Sequence, residues 1–382
     1  MKKENNNILR ISIFNAFTKG LLNAVVFFLG IYLKKIGFSG TEIGIIFMVY
    51  SFTGLLSILP SGFSNDVFKS KHMVTIALLL LSIQYLGISN FTTFLPILTF
   101  FLLGSLGKTL YSNSMDSLFL KATEKEHTKK KISIFLSLNY TLIGSSIILA
   151  GYLLNIDVSF RNIFTIIGLL FAIMAIFSQF LLPKSATSKF EILRYKKDIL
   201  RGDVLFFLVI MFLFSLHYGS EETSYGLFLE NTLKLNKFES GLYMGVAIMS
   251  MAISVLIIRK VLKKVEIRNI LLFGTLISGL GLILMTIQNP AISLLFRIIH
   301  ETGDATMFFF LYYGITKLFD LERIGGNSGV VTFVIIIGAA TSNLIFGPIG
   351  AKFGYNVPFL IGGSTSILAF ILALKFRHII KH

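Results

Sequence analysis

Twelve apolar stretches, each long enough to cross a bilayer, follow one another along the chain with short polar connections. They lie near residues 9–33, 40–61, 73–90, 92–117, 133–155, 161–182, 204–229, 238–258, 269–287, 290–316, 330–352 and 357–376. A span needs about 20 mostly apolar residues. In lipid the backbone must satisfy its own hydrogen bonds, and the alternation of barrel strands is missing, so every span is expected to be a helix. The predicted fold class is an all-α membrane protein. Twelve spans use up almost all of the 382 residues, leaving no room for a separate soluble domain. The first span follows Lys2 and Lys3 as a signal peptide would, but it runs from about Ile8 to Leu33 without a small-residue cleavage site. It reads as a retained span.

The net charge of +16 would suggest nucleic acid in a soluble protein, but its placement says otherwise. With both termini in the cytoplasm, 26 of the 35 Lys and Arg residues fall on inner segments and 6 on outer ones. The positive-inside rule favours that orientation. The basic clusters 121–131, 184–201 and 259–268 then read as topology signals and lipid-headgroup contacts, with no nucleic-acid partner. Cysteine is absent, so disulfides and thiolate metal ligands are excluded. No cofactor is implied.

Ionisable groups are costly in hydrocarbon and are by default functional candidates. They fall on four spans only: Lys19 in span 1, Lys108 and Asp116 in span 4, His217, Glu221 and Glu222 in span 7, and Arg297, His300, Glu301 and Asp304 in span 10. That pattern suits a transporter better than a receptor or an anchor. The longest polar interruption, 184–203, divides the spans six and six. It predicts bundles at 1–183 and 204–382 joined by a linker whose residues 192–201 have the spacing of an amphipathic helix on the inner surface. The halves repeat weakly: Tyr32-Leu33 precedes Glu42-Ile43-Gly44 at the mouth of span 2, and Phe228-Leu229 precedes Glu239-Ser240-Gly241 at the mouth of span 8.

The segment Gly62-Phe63-Ser64-Asn65-Asp66-Val67-Phe68-Lys69-Ser70-Lys71 resembles the loop motif G-x-L-A-D-R-x-G-R-K of the major facilitator superfamily. Gly62, Asp66 and Lys71 match, whereas Val67 and Lys69 replace the customary Arg and Gly. Gly347-Pro348-Ile349-Gly350, the stretch Tyr355 to Phe359, and Ser159 to Phe164 are similar to the family as well. The resemblance implies two pseudo-symmetric six-helix bundles, a cavity lined by spans 1, 4, 7 and 10, and a rocking interface of spans 2, 5, 8 and 11. It further implies a gating role for Gly62, Asp66 and Lys71 in a cytoplasmic charge network.

Helical phase groups the candidates. Arg297, Glu301 and Asp304 share one stripe with His300 beside them; His217, Glu221, Ser224 and Tyr225 share another, with Glu222 about 100° away. Asn15, Lys19 and Asn23 align on span 1, and Lys108, Ser112 and Asp116 on span 4. A carboxylate whose partner changes between the two open states would bind a proton in one and release it in the other. Glu221, Glu301 and Asp304 are the expected proton carriers, with Lys19 and Arg297 as displaceable partners and sodium as the weaker ion. Lys19, Lys108 and Arg297 would suit an anionic solute. Five carboxylates with Phe308, Phe309, Tyr312 and Tyr225 would suit an amphipathic cation, and the negative balance leans that way. The expected function is therefore proton-coupled secondary transport of a small organic solute, with multidrug–proton antiport as the alternative. A divalent-metal reading of the His217–Glu221 and His300–Asp304 pairs is disfavoured, because Lys19 and Arg297 would repel the ion, and no metal ligand is assigned. An enzyme is not expected, since no H-E-x-x-H, G-x-S-x-G, P-loop or dinucleotide fingerprint is present. The expected setting is a monomer spanning the plasma membrane, of the bacterial inner-membrane type.

Overall fold

The structure is a computed structural model that describes residues 2–123 and 127–375. Those residues form helices and short connections, with no strand among them. The first half comprises α1 (Lys2–Ala24), α2 (Leu29–Lys35), α3 (Gly40–Val67), α4 (Ser70–Asn90), α5 (Phe94–Ala122), α6 (Thr128–Asn155) and α7 (Phe160–Leu181). A short helix, α8 (Ile192–Ile199), stands between the halves. The second half comprises α9 (Gly202–Ser215), α10 (Tyr218–Leu227), α11 (Lys237–Val261), α12 (Ile267–Leu284), α13 (Pro290–Leu318), α14 (Ile324–Phe353) and α15 (Val357–Lys375). Span 1 is thus two helices joined by a 3-10 turn at Val26–Phe28, and span 7 is α9 and α10 followed by a π turn at Phe228–Thr232. These breaks correct the expectation of one continuous helix per span.

Among the described residues, eleven segments are long and apolar enough to cross a membrane. α13 is not among them. It is a 29-residue helix, as long as α5, but the charged stripe of Arg297, Glu301 and Asp304 lowers its hydropathy. Outward-facing side chains such as Leu344 (81% exposed) and Phe180 (77%) are the apolar surface that lipid would cover.

The packing repeats in the two halves. α1 lies on α6, α4 on α5 and α7, and α3 on α5. Correspondingly, α9 and α10 lie on α14, α12 on α13 and α15, and α11 on α13. The weak sequence repeat has a local cause: Ser39 and Glu42 form a capping box before α3, and Asn236 and Glu239 form the same box before α11. In each, the Glu carboxylate accepts the cap residue's N–H at 2.8 Å, satisfying donors that a helix start leaves orphaned.

Two main contacts join the halves, α6 with α11 and α3 with α14. Without a hydrophobic drive in lipid, helices associate through close packing of small residues. A Cβ on Gly62 would sit 3.1 Å from Gly329 Cα and 3.2 Å from the Gly325 carbonyl oxygen. On Gly151 it would sit 3.2 Å from the Lys237 carbonyl oxygen and 3.3 Å from Gly241 Cα. Both crossings therefore depend on glycine.

Candidate functional site

The charged stripe of α13 meets the start of α10 in the second half. α9 ends at Ser215 and the helix resumes at Tyr218, so His217 lies at the junction and directs Nδ1 to the Phe214 carbonyl at 2.5 Å. One turn on, Glu221 Oε1 accepts from Arg297 Nη1 and lies 2.9 Å from His300 Nε2. Arg297 Nη2 donates to Glu301 Oε1 at 2.6 Å, and the guanidinium lies 4.3 Å from the centre of the Tyr225 ring. Asp304 Oδ2 is 3.3 Å from His217 Nε2, and Oδ1 accepts from Ser278 Oγ of α12 at 2.7 Å. His300 Nδ1 lies 2.9 Å from the Ser278 carbonyl oxygen, and Ser366 of α15 lies 3.3 Å from His217 Nδ1. His217, Arg297, His300, Glu301 and Asp304 are all buried, whereas Glu221 is partly exposed. Two buried polar atoms, Arg297 Nε and Tyr225 Oη, have no hydrogen-bond partner.

Hydrogen-bond accounting constrains the protons. The carbonyls of Phe214 and Ser278 are acceptors only, so both histidines carry their proton on Nδ1. Both Nε2 atoms then face carboxylate oxygens. Each needs a proton there, on the ring or on the carboxylate, because two lone pairs repel. The surplus of carboxylates that the sequence suggests disappears when both imidazoles are charged.

The first half holds a second, separate polar centre. Lys19 Nζ donates to Ser112 Oγ at 3.1 Å, and Asn23 donates to the Lys19 carbonyl oxygen at 2.8 Å. Asn15 is held by Asn139 at 3.1 Å and Tyr111 at 3.0 Å. No ion pair joins Lys19 to α10 or α13 among the described residues. The expectation that Lys19 belongs with the α13 stripe is corrected: helical phase gives a face, but not which neighbour meets it. Asp116 is partly buried and accepts from Tyr312 of α13 at 2.6 Å, linking the halves. Lys108 is exposed, 5.7 Å from the Tyr50 ring centre. Glu222 turns away and accepts from Asn343 of α14 at 2.6 Å. Phe308 stacks on Tyr218 at 6.3 Å, while Phe309 is fully buried packing.

Gly62 to Val67 lie at the end of α3, Phe68 and Lys69 form the connection, and Ser70 and Lys71 open α4, so most of the motif is helical. Asp66 is fully buried and pairs with Lys121 at 3.0 Å. It also accepts from Tyr195 of α8 at 3.0 Å and from the backbone N–H groups of Gly325 and Gly326 at 3.0 and 2.6 Å. Those two amides open α14, where orphaned donors and the helix dipole favour an anion. Beside them, Arg323 donates to Asp198 at 2.8 and 3.2 Å, and Asn327 at 3.0 Å. Burial and the neighbouring Asp66 carboxylate push the Tyr195 phenol above its usual range, keeping it a donor. Lys71 is not part of this latch, because it reaches the Gln179 carbonyl within the first half at 3.3 Å, and Lys121 supplies the cation.

Sequence reasoning named Tyr312 only as a cavity aromatic and missed Ser278, Ser366, Lys121 and Tyr195 as site residues. The serines carry no signal that separates them from packing residues, Tyr195 reads as one position of the linker helix, and Lys121 lay hidden in a basic cluster.

A family model described as Major Facilitator Superfamily matches residues 11–287. No curated protein matches the sequence. Among solved structures, the crystal structure of the human organic anion transporter MFSD10 (TETRAN) is similar in fold. It aligns with a TM-score of 0.79 and 12% identity over 97% of this chain and 99% of that one.

Proposed function

The chain belongs to the Major Facilitator Superfamily, and on that premise we propose that it is a proton-coupled secondary transporter of a small organic solute bearing an anionic group. Membership makes it a multi-pass membrane transporter rather than an enzyme. In this reading residues 1–183 and 204–382 are two bundles that rock about the crossings α6–α11 and α3–α14, with 184–203 as the cytoplasmic linker. The setting is the plasma membrane of a bacterial-type cell.

The observation that carries the coupling is the buried chain Glu301–Arg297–Glu221–His300 and its extension through Asp304 to His217. Glu221 is its partly exposed member. A solute anion that drew Arg297 away would leave Glu301 without its counter-charge and Glu221 with His300 alone, and a buried carboxylate that loses its counter-charge takes up a proton. The anionic character of the solute is supported by Lys19, whose bond is to a hydroxyl rather than a carboxylate, and by the unmatched Arg297 Nε. Of the five carboxylates that suggested a cationic solute, Glu221, Glu301 and Asp304 are engaged by Arg297 and the histidines, Asp116 by Tyr312 and Glu222 by Asn343. The similar human structure is of an organic anion transporter, and this chain shares its fold.

A thermal-shift panel of mono- and dicarboxylates against quaternary ammonium compounds tests the substrate class. Carboxylates should raise Tm, and Lys19→Ala should abolish the shift; stabilisation by the ammonium compounds alone would overturn it. With a stabilising carboxylate in hand, proteoliposomes enclosing a pH-sensitive dye test coupling. Solute should drive proton flux in the native protein and not in Glu221→Gln, Glu301→Gln or Asp304→Asn. If all three retain that flux, the coupling assignment is wrong.

A further inference from the structure

We propose that His217, His300 and Asp304 form a three-residue binding site for a borderline divalent cation of the Zn²⁺ class. The site shares His217, His300 and Asp304 with the proposed coupling chain, but its test reads metal binding and needs no transport. One ligand atom from each of the three residues lies within 4.8 Å of the other two, and all three side chains are buried. His217 Nε2 stands 3.3 Å from Asp304 Oδ2, and His300 Nε2 stands 3.7 Å from Asp304 Oδ1 and 2.9 Å from Glu221 Oε1. Tetrahedral zinc with bonds of about 2.0–2.1 Å sets its ligand atoms about 3.3 Å apart. The two Asp304 spacings, 3.3 and 3.7 Å, lie at and slightly above that edge.

The orientation of the rings is the second observation. Metal-binding histidines present one nitrogen to the ion and give the other N–H to a carbonyl or carboxylate that fixes the tautomer. Here both Nδ1 atoms are committed to backbone carbonyls, Phe214 for His217 and Ser278 for His300. Both Nε2 atoms are thereby turned toward the Asp304 carboxylate. Ser278 Oγ also fixes Asp304 through Oδ1. Two imidazoles with carboxylate suit zinc, nickel, cobalt or iron(II) rather than magnesium or calcium.

Fixed cations nearby would oppose binding. Lys19 is in the other half, bonded to Ser112. Arg297 is neutralised between Glu221 and Glu301. The repulsion read from the sequence is therefore largely cancelled. A bound ion would tie the α9–α10 junction to α13.

The test uses purified full-length protein in which His72, His127, His378 and His382 are alanine, leaving His217 and His300 as the only histidines. Co²⁺ serves as the spectroscopic probe and Zn²⁺ as its competitor. One Co²⁺ per protein, with visible d–d bands of a four- or five-coordinate site and displacement by Zn²⁺, is the expected result. His217→Gln and Asp304→Asn should each weaken binding at least about tenfold. Absence of stoichiometric Co²⁺ in the native-site protein would overturn the proposal, as would binding by both variants undiminished from that of the native-site protein. Should one variant fail to run as a monodisperse species, the other and the native-site spectrum still decide.

Discussion

Arg297 holds two carboxylates at once, and its energetic role follows from what its loss would leave. Removing one partner of a buried ion pair destabilises by about 3–5 kcal/mol, because the remaining charge is uncompensated. Arg297→Met should therefore lower Tm markedly, and the triple variant Arg297→Met, Glu221→Gln, Glu301→Gln should recover most of the loss. Scanning calorimetry or a dye-free thermal melt checks this; equal Tm for single and triple variants would mean that the charges are hydrated in the native state. The stripe itself was legible, since Arg297, His300, Glu301 and Asp304 fall on neighbouring positions of any helix. Its partners were not. Ser278 and Ser366 sit in apolar spans as unremarkable serines, and only the packing of α12 and α15 on the second half places them against the imidazoles.

At the scale of elements, the two crossings between halves rest on glycine against backbone, which cannot give way as a side chain can. Gly62→Val puts carbon against Gly329 Cα and the Gly325 carbonyl and should force α3 from α14. The chain has no cysteine, so spin labels can be placed at will. With labels at Phe68→Cys and Leu321→Cys, both exposed beside the latch, pulsed EPR should report a longer distance in Gly62→Val than in the parent. Gly151→Val acts on the α6–α11 crossing and should not lengthen it. Helix identity was readable throughout from apolar length. The break at Val26–Phe28 was not, because apolar residues continue across it, nor was the one near His217, where the polar stretch 215–223 also suits the face of an unbroken helix.

For the whole molecule, the Asp66 latch ties α3, α5 and α8 to the start of α14. Asp66→Asn removes the charge that the α14 amides and Lys121 share, so the same label pair should separate and broaden. Asp198 adds a pH-dependent part. Partial burial raises its carboxyl, but hydrogen bonds from Arg323 and Asn327 and the charges of Arg323 and Arg201 outweigh it and hold the group below its usual range. A depressed carboxyl contributes stability that is present above its unfolded value of about 3.9 and is lost as pH falls through the folded value. The label distance should be constant from pH 8 to 5 and increase below about pH 4, whereas Asp198→Asn should show no such step. An unchanged native distance at pH 3 would remove Asp198 from the latch. The sequence pointed to Gly62, Asp66 and Lys71 through a resemblance; the structure places Asp66 in the charge network and Gly62 at the α3–α14 crossing, with Lys121 rather than Lys71 as the cation, because Lys71 lies over α7 while Lys121 ends α5 beside Asp66.

The sequence alone determined the material of this protein: apolar runs that must be helices in lipid, a chain divided near its middle, and charges confined to four spans. Those properties are local, set by the hydrogen-bonding needs of backbone and the cost of charge in hydrocarbon. Only the tertiary structure decided which charges meet. Periodicity fixes the direction of a side chain from its own helix, but a contact needs the rotation and depth of a second one. That is why Arg297, Glu221 and the two histidines form one buried chain while Lys19, on an equally polar stripe, stands apart with Ser112.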